Sequence, residues 1–160
     1  MTINCKGALI DLSTPKVMGI INATPDSFYD GGKTVVLKEI LKQAERMLNE
    51  GATFLDIGGY SSRPGADDVS ESEELQRVLP AIEAVIKEFP NALISVDSFR
   101  SKVAKSATES GAAIVNDISG GTRDADMLST VSKLKVPFIA MHMRGTPQTM
   151  TQLTDYKNIT

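Results

Sequence analysis

Short apolar runs alternate with amphipathic stretches along most of this 160-residue chain. The apolar runs show little internal alternation, which is typical of strands buried on both faces of a parallel sheet. The stretches between them repeat apolar residues every three or four positions, which predicts helices. A β-α-β-α-β-α-β-α-β pattern restricts the chain to α/β folds in which right-handed crossovers connect parallel strands. The predicted strands are residues 16–21, 53–57, 92–96, 112–116 and 137–141.

Start and stop signals flank the predicted helices. Gly51 marks the end of the first helix, and Ser70 with Glu73 has capping-box spacing ahead of the second. Pro80 interrupts the apolar stripe of the second helix and predicts a kink or a late start there. Ser101 is the expected capping residue of the third helix. The apolar stripes cover residues 37–48, 75–89, 103–107 and 127–134.

Repeated βα units fit either a doubly wound open sheet or a (β/α)8 barrel of the TIM type. A doubly wound sheet usually carries a glycine-rich phosphate loop after its first strand, and "NATPDSFYDGG" (residues 22–32) lacks that fingerprint. The barrel is therefore preferred. A full barrel needs about 250 residues, so we expect residues 1–160 to form one incomplete domain, the N-terminal portion of a barrel. It would hold about five parallel strands and four helices after an N-terminal hairpin.

Composition limits the partners of the chain. The net charge of −3 is spread without blocks of like sign, so we expect no nucleic acid or anionic membrane surface as a partner. No segment is apolar for long enough to span a bilayer and the N-terminus lacks a signal-peptide core, which predicts a cytoplasmic protein. Cys5 is the only cysteine and His142 the only histidine. An internal disulfide, a cysteine-rich zinc site and a two-histidine metal site are therefore excluded within this chain.

Polar side chains stand at the end of every predicted strand. The carboxyl ends of parallel barrel strands share one rim, where barrel enzymes build their sites. A single polar residue after a strand more often caps a helix or forms a turn, but five successive polar ends favour a common site. The residues at these ends are Asn22, Thr24 and Asp26; Asp56, Ser61, Ser62 and Arg63; Asp97 and Ser98; Asn116 and Asp117; and His142 and Arg144.

The stretch "FLDIGGYSSRPGADD" (residues 54–68) has the composition of an anion-binding loop. Gly58 and Gly59 would let backbone amides approach a ligand, and serine hydroxyls donate to phosphate oxygens. Arg63 offers a guanidinium fork, and Pro64 restricts the backbone beside it. A plain turn with a solvated arginine fits the same residues, so the composition leaves both interpretations open.

Longer motifs resemble one family. "MGIINATPDSFYDGG" (18–32), "LDIGGYSSRPGA" (55–66), "ISVDSFR" (94–100) and "AIVNDISGG" (113–121) are similar, in order and spacing, to the signatures of dihydropteroate synthase. "MHMRGTPQTM" (141–150) resembles that family's fifth strand and following loop. The resemblance implies a transferase of folate biosynthesis with a (β/α)8 barrel. It would join 4-aminobenzoate to 6-hydroxymethyl-7,8-dihydropterin diphosphate and release diphosphate with the help of Mg²⁺.

The resemblance also implies roles for individual residues. Asn22 would ligand the magnesium ion that holds the diphosphate, and Asp97 and Asn116 would hydrogen-bond the pterin ring. Ser62 and Arg63 would meet the diphosphate and the aminobenzoate. The implied catalytic residues are Arg63, Asp97 and Asn116; the implied substrate-binding residues are Asn22, Thr24, Phe28, Asp56, Ser62, Arg63, Pro64, Asp97, Asn116 and Met141.

Two departures and several missing strands qualify these expectations. Tyr60 stands where many members of the family carry glutamate, and Ser62 where many carry threonine. The family's later strands supply further pterin and anion ligands that this sequence does not contain. The chain alone is therefore expected to bind pterin weakly and to turn over negligibly. Sulfonamides are expected competitors of 4-aminobenzoate, and a homodimer is left open.

Two alternatives stay open at this stage. A pterin-binding barrel of the methyltransferase kind would share the pterin-facing Asp and Asn but would not need a diphosphate loop. A non-catalytic fragment or interaction module would instead use its open sheet edge to pair with another chain.

Overall fold

The computed structural model describes residues 1–23, 32–60 and 68–158. Its strands and helices alternate as the sequence predicts. A hairpin of β1 (Thr2–Cys5) and β2 (Ala8–Asp11) comes first, and a 3-10 turn over Met150–Gln152 comes last. Between them lie β3 (Met18–Asn22), α1 (Gly32–Asn49), β4 (Phe54–Gly58), α2 (Glu71–Glu88), β5 (Leu93–Asp97), α3 (Ser101–Glu109), β6 (Ile114–Asp117), α4 (Met127–Leu134) and β7 (Phe138–Ala140).

The order of the strands in the sheet distinguishes a barrel from a doubly wound fold. The five parallel strands lie side by side in chain order, β3-β4-β5-β6-β7. A doubly wound sheet would reverse its order at a switch point, whereas a barrel adds each strand next to the last. The predicted α/β fold of five parallel strands and four helices is confirmed, and the barrel is incomplete. Within the described residues, β3 and β7 each pair with one neighbouring strand only.

The face of the sheet that packs against the helices forms the main core. Ile21, Ile57, Val96 and Val115 are fully buried in one cluster with apolar residues of α1 to α4. Burying a side chain of this kind stabilises the fold by about 1.5–3 kcal/mol. Because side chains alternate along a strand, the residues directly before and after these four lie on the opposite face. No helix in the described part of the chain is long and apolar enough to cross a membrane.

The N-terminal hairpin covers the amino ends of the strands. Its turn uses left-handed backbone at Lys6 (φ 53°) and Gly7 (φ 90°). Cys5 packs with Phe54, the first residue of β4, and with Ile114, the first residue of β6. The hairpin therefore closes one end of the sheet and leaves the carboxyl ends of the strands accessible.

Helix α2 begins at Glu71 after the Ser70 cap, as the capping-box spacing predicts. It runs through Pro80, so of the two effects predicted there the late start is wrong. The prediction that Ser101 caps α3 is wrong, because Ser101 is the first residue of the helix and Arg100, at the N-cap position, makes no side-chain capping hydrogen bond. The Ser101 amide donates to Asp124 Oδ2 at 2.7 Å, so a residue from a later loop satisfies this helix end.

Ser70→Ala is expected to lower the free energy of unfolding by about 1 kcal/mol, because Ser70 Oγ accepts a hydrogen bond from the Glu73 amide at 3.2 Å. Urea denaturation measures the difference. Ser72→Ala, an exposed change in the first turn of the same helix, is the matched control and should be close to neutral. Equal effects of the two substitutions would show that the cap does not stabilise α2.

Candidate active site

Three of the predicted site residues lie in one row at the carboxyl ends of neighbouring strands. Asn22 of β3 is the register partner of Gly58 in β4, and Gly58 is the partner of Asp97 in β5. Asp97 is in turn the partner of Asn116 in β6. Register partners in a parallel sheet point to the same face. These side chains therefore share the face opposite the helices, as the strand-end pattern predicts.

One hydrogen bond shows that this face is concave. Asn116 Nδ2 donates to Asp56 Oδ2 at 3.0 Å, although β5 lies between the strands that carry these two residues. Neighbouring strands are about 4.8 Å apart, so two strands separated by a third are almost 10 Å apart. Their side chains meet because the sheet curves around this face. The same curvature brings Asp56, two residues before the row, into contact with it.

Asp56 and Ser95 line the floor of the concave face. Asp56 is 4% exposed and is the register partner of Ser95, which is fully buried. Asp56 Oδ1 and Ser95 Oγ have no hydrogen-bond partner of good geometry among the described residues. Burial raises the pKa of Asp56, although the nearby Ser95 hydroxyl and the Asn116 amide oppose that shift. Buried oxygens of this kind are normally satisfied, so these two atoms are candidates for contact with a polar ligand.

Asp97 lies at the centre of the row. A Cβ atom on Gly58 would come within 3.3 Å of Asp97 Oδ2, so the glycine leaves room for the carboxylate. Burial raises the pKa of Asp97 to about 7, and the nearby carboxylates of Asp56, Glu74 and Asp117 add to the shift. A carboxyl group with a perturbed pKa in a concave site is a candidate functional residue.

Asn22 is the exposed end of the row. None of the described residues hydrogen-bonds its side-chain amide, which leaves the amide oxygen available to a ligand. The described residues contain no cluster of three or more His, Cys, Asp or Glu side chains suited to a metal ion.

Other polar strand ends are used within the fold. Asp117 is fully buried and accepts hydrogen bonds from the Ser119 amide at 2.7 Å and the Gly121 amide at 2.8 Å. It shapes the loop between β6 and α4 and does not extend the row. His142 Nε2 lies 3.2 Å from the Tyr156 hydroxyl on the surface. Met141, predicted to bind substrate, is 41% exposed just after β7, and its amide donates to the Asp117 carbonyl.

Several predicted residues lie outside the described part of the chain. They belong to the segments that follow β3 and β4, residues 24–31 and 61–67. The geometry of the proposed anion loop and of the implied catalytic Arg63 is therefore not described. These residues are Thr24, Asp26, Phe28, Ser61, Ser62, Arg63 and Pro64.

An aromatic and cationic cluster beside the row was not predicted. The Tyr60 and Phe99 rings meet edge to face with centroids 5.0 Å apart. The Arg100 guanidinium lies 5.0 Å and the Arg123 guanidinium 4.9 Å from the Phe99 ring centroid. Gln148 Nε2, from the segment after β7, donates to the Tyr60 hydroxyl at 3.3 Å. Tyr60, the departure from glutamate, thus packs against residues from the loops after β5 and β7, a contact that sequence spacing does not reveal.

Comparison with known proteins agrees with the fold. A family described as "Pterin binding enzyme" matches residues 18–160. A dihydropteroate synthase of Haemophilus influenzae is 46% identical over 159 residues, which is 99% of this chain and 57% of that protein. The chain thus spans little more than half the length of this relative.

Solved structures give the same result. A Yersinia pestis dihydropteroate synthase with a sulfonamide drug complex aligns with a TM-score of 0.86 and 42% identity, covering 99% of this chain and 56% of that one. A Xanthomonas albilineans dihydropteroate synthase with 4-aminobenzoic acid aligns with a TM-score of 0.82 and 42% identity, covering 90% and 52%. The resemblance to dihydropteroate synthases is confirmed, and the chain belongs to the family of pterin binding enzymes.

Proposed function

We propose that this chain carries the pterin half of a dihydropteroate synthase site. The row of Asn22, Asp97 and Asn116, with Asp56 beside it on the concave face, is the observation that supports this most. The reaction joins 4-aminobenzoate to 6-hydroxymethyl-7,8-dihydropterin diphosphate and releases diphosphate. Relatives named dihydropteroate synthase favour this reaction over a pterin-dependent methyl transfer.

The pterin ring fits the polarity of the concave face. Its amino and ring N–H groups are donors, and the carboxylate oxygens of Asp97 and the unpaired Oδ1 of Asp56 are acceptors. Asn116 offers both a donor and an acceptor, and its amide already bridges to Asp56. A flat ligand held by several convergent polar groups is positioned in both orientation and depth.

The chemistry needs charge stabilisation more than proton transfer. The arylamine nitrogen of 4-aminobenzoate bonds to the exocyclic methylene carbon of the pterin, and the bond from that carbon to the diphosphate oxygen breaks. The electron pair of the broken bond leaves with the diphosphate, and the amine releases a proton. Positive charge that develops on the pterin and its methylene is stabilised by the carboxylates of Asp56 and Asp97.

The residues present fit a magnesium ion that is shared with the diphosphate. Mg²⁺ prefers oxygen ligands, keeps several waters, and binds substrate phosphates through one or two protein groups. The free amide oxygen of Asn22, on the exposed rim of the row, meets that requirement. When bound, the ion would neutralise charge on the departing diphosphate.

Asn22→Ala is expected to weaken binding of the pterin diphosphate about tenfold in the presence of Mg²⁺, with little change in its absence. Isothermal titration with and without the metal measures this. Asn91→Ala is the matched control, because Asn91 is exposed at the amino end of β5, away from the row. Equal weakening with and without Mg²⁺ would contradict the role of Asn22 as a metal ligand.

The partners of the complete reaction belong to the same proposal. The substrates are the pterin diphosphate and 4-aminobenzoate, with sulfonamides as competitors of the latter, in line with the ligands named for the Yersinia and Xanthomonas structures. We expect the isolated chain to turn over negligibly, because it spans little more than half of its relatives. A cytoplasmic location and a homodimer also stay predictions.

A further inference from the structure

Ser95 is a polar residue in a fully buried position on β5. It is the register partner of Asp56 in β4 and of Ile114 in β6, two residues before Asp97 and on the same face. None of the described residues gives Ser95 Oγ a hydrogen-bond partner of good geometry. An alanine would fill nearly the same space without burying a hydroxyl, so packing alone does not account for a serine at this position.

Asp56 is the polar side chain beside the Ser95 hydroxyl. Register partners on neighbouring strands lie about 5 Å apart, and a serine hydroxyl rotates to aim its proton at an acceptor. Burial raises the pKa of Asp56, and the Ser95 hydroxyl opposes that rise. The hydroxyl therefore favours the ionised form of Asp56. Because Ser95 has no exposed surface of its own, its influence on a ligand passes through Asp56.

The charge of Asp56 in turn determines how the Asn116 amide is oriented. Asn116 Nδ2 donates to Asp56 Oδ2 at 3.0 Å. An ionised carboxylate only accepts hydrogen bonds, so Asn116 must turn its NH₂ group toward Asp56 and is left with Oδ1 to accept from a ligand. A protonated Asp56 would also be a donor, and the amide would then be free to turn over. The ionised form thus presents an acceptor at this point of the row.

We infer that Ser95 is a positioning residue of the proposed site. It holds Asp56 as an acceptor for the Asn116 amide, and so fixes Asn116 Oδ1 as the atom that accepts an N–H group of the pterin. The inference rests on the proposed function, because it takes the pterin as the ligand of this face. The three residues lie on the neighbouring strands β4, β5 and β6, and Ser95 itself is not expected to touch the substrate.

The charged groups around Asp56 stay the same when Ser95 is substituted. Asp97 lies on the same face, and its carboxyl group interacts with that of Asp56 and titrates in the same pH range. Strand β3 has no titratable side chain. A comparison of variants at Ser95 therefore isolates the effect of its hydroxyl. The other buried or partly buried charged residues of the surrounding elements are Glu74 and Arg77 of α2, Asp117 of β6, and Arg100, which pairs with Glu74.

Ser95→Ala should raise the pKa of Asp56 further, because the variant lacks the hydroxyl that opposes the effect of burial. Carbon-detected NMR titration of the Asp56 carboxyl group measures the change. Ser101→Ala is the matched control, since it removes another buried serine hydroxyl, one that lowers the pKa of Asp124 outside the row. It should leave the pKa of Asp56 unchanged. Each variant deletes a single oxygen atom, so both should fold.

The binding test uses 6-hydroxymethyl-7,8-dihydropterin, which carries no diphosphate, at two pH values. Asp56 becomes protonated as the pH falls through its pKa, and Ser95→Ala moves that step to higher pH. At about pH 6 the variant should bind the pterin about three- to tenfold more weakly than the original chain, since a shift of one pKa unit changes the ionised fraction by at most about tenfold. At about pH 8, where we expect Asp56 to be ionised in both chains, the difference should be less than about twofold. Ser101→Ala should match the original chain at both pH values.

Three outcomes would overturn the inference. An unchanged pKa of Asp56 in Ser95→Ala would mean that the hydroxyl does not hold the carboxylate. A loss of affinity that is the same at both pH values, or no loss at either, would mean that Ser95 does not act on the ligand through the charge of Asp56. Failure of the unsubstituted chain to bind the pterin at either pH would instead contradict the proposed function, and the inference would fall with it.

Discussion

Asp97→Asn is expected to weaken binding of the pterin diphosphate by about 100-fold or more. The carboxylate can accept two N–H donors of the pterin, whereas an asparagine replaces one acceptor oxygen with an NH₂ group and leaves a donor on each side unpaired. The loss should be large because Asp97 lies at the centre of the row, between Gly58 and Asn116. NMR titration measures the affinity. The chemical-shift changes that the ligand induces should saturate in the original chain and be nearly absent in the variant.

A charge-matched control separates this effect from a change in net charge. Asp126→Asn removes one carboxylate from an exposed position at the start of α4, where its side chain makes no capping hydrogen bond. It should leave the affinity unchanged. Similar affinities for Asp97→Asn and the original chain would show that Asp97 does not hold the pterin.

Asp97→Asn is also expected to stabilise the fold above neutral pH by about 2–4 kcal/mol. The pKa of Asp97 is about 7 in the folded chain, against an ordinary value of 3.8. Between these values the folded chain binds a proton that the unfolded chain releases, so the free energy of unfolding falls as pH rises through that window. Above pH 7 the folded chain holds a carboxylate in a buried and negatively charged site.

Urea denaturation of both proteins from pH 4 to pH 8 measures this contribution. The difference in free energy of unfolding between Asp97→Asn and the original chain should be near zero at pH 4 and should grow up to about pH 7, the pKa of Asp97 in the folded chain. Asp126→Asn should follow the original chain at every pH. A difference that is constant across the range would mean that the pKa of Asp97 is not raised.

The proposed site lowers the stability of the fold and favours ligand binding. Asp56 and Asp97 are both carboxyl groups with raised pKa values on one concave face. Their mutual repulsion is unfavourable in the empty site. The same negative potential stabilises a ligand that brings N–H donors and developing positive charge. The unpaired oxygens of Asp56 and Ser95 fit the same interpretation.

The row could be predicted because its position depends on only two regular features of parallel sheets. Parallel strands end at a common edge, and side chains alternate along each strand, so Asn22, Asp97 and Asn116 had to share one rim once their strands were recognised. The capping of α2 by Ser70 was likewise predictable, since it depends on residues three positions apart.

Other features depend on distances that the sequence does not encode locally. The contact between Asp56 and Asn116 arises from the curvature of the sheet, across an intervening strand. The pair of Glu74 and Arg100 joins residues 26 positions apart. A glutamate in the first turn of a helix ordinarily indicates only a favourable interaction with the helix dipole. Asp117 illustrates the reverse error, because a strand-end carboxylate turned out to be satisfied by its own loop.

The most direct measurement is an NMR titration of the isotopically labelled 17.2 kDa chain with 6-hydroxymethyl-7,8-dihydropterin diphosphate and Mg²⁺. We predict weak but saturable binding, with the largest shifts at the side chains of Asn22, Asp97 and Asn116 and smaller ones at Asp56. Shifts confined to the hairpin or to the outer faces of the helices would contradict a pterin site at the carboxyl ends of the strands, as would the absence of any shift at millimolar ligand.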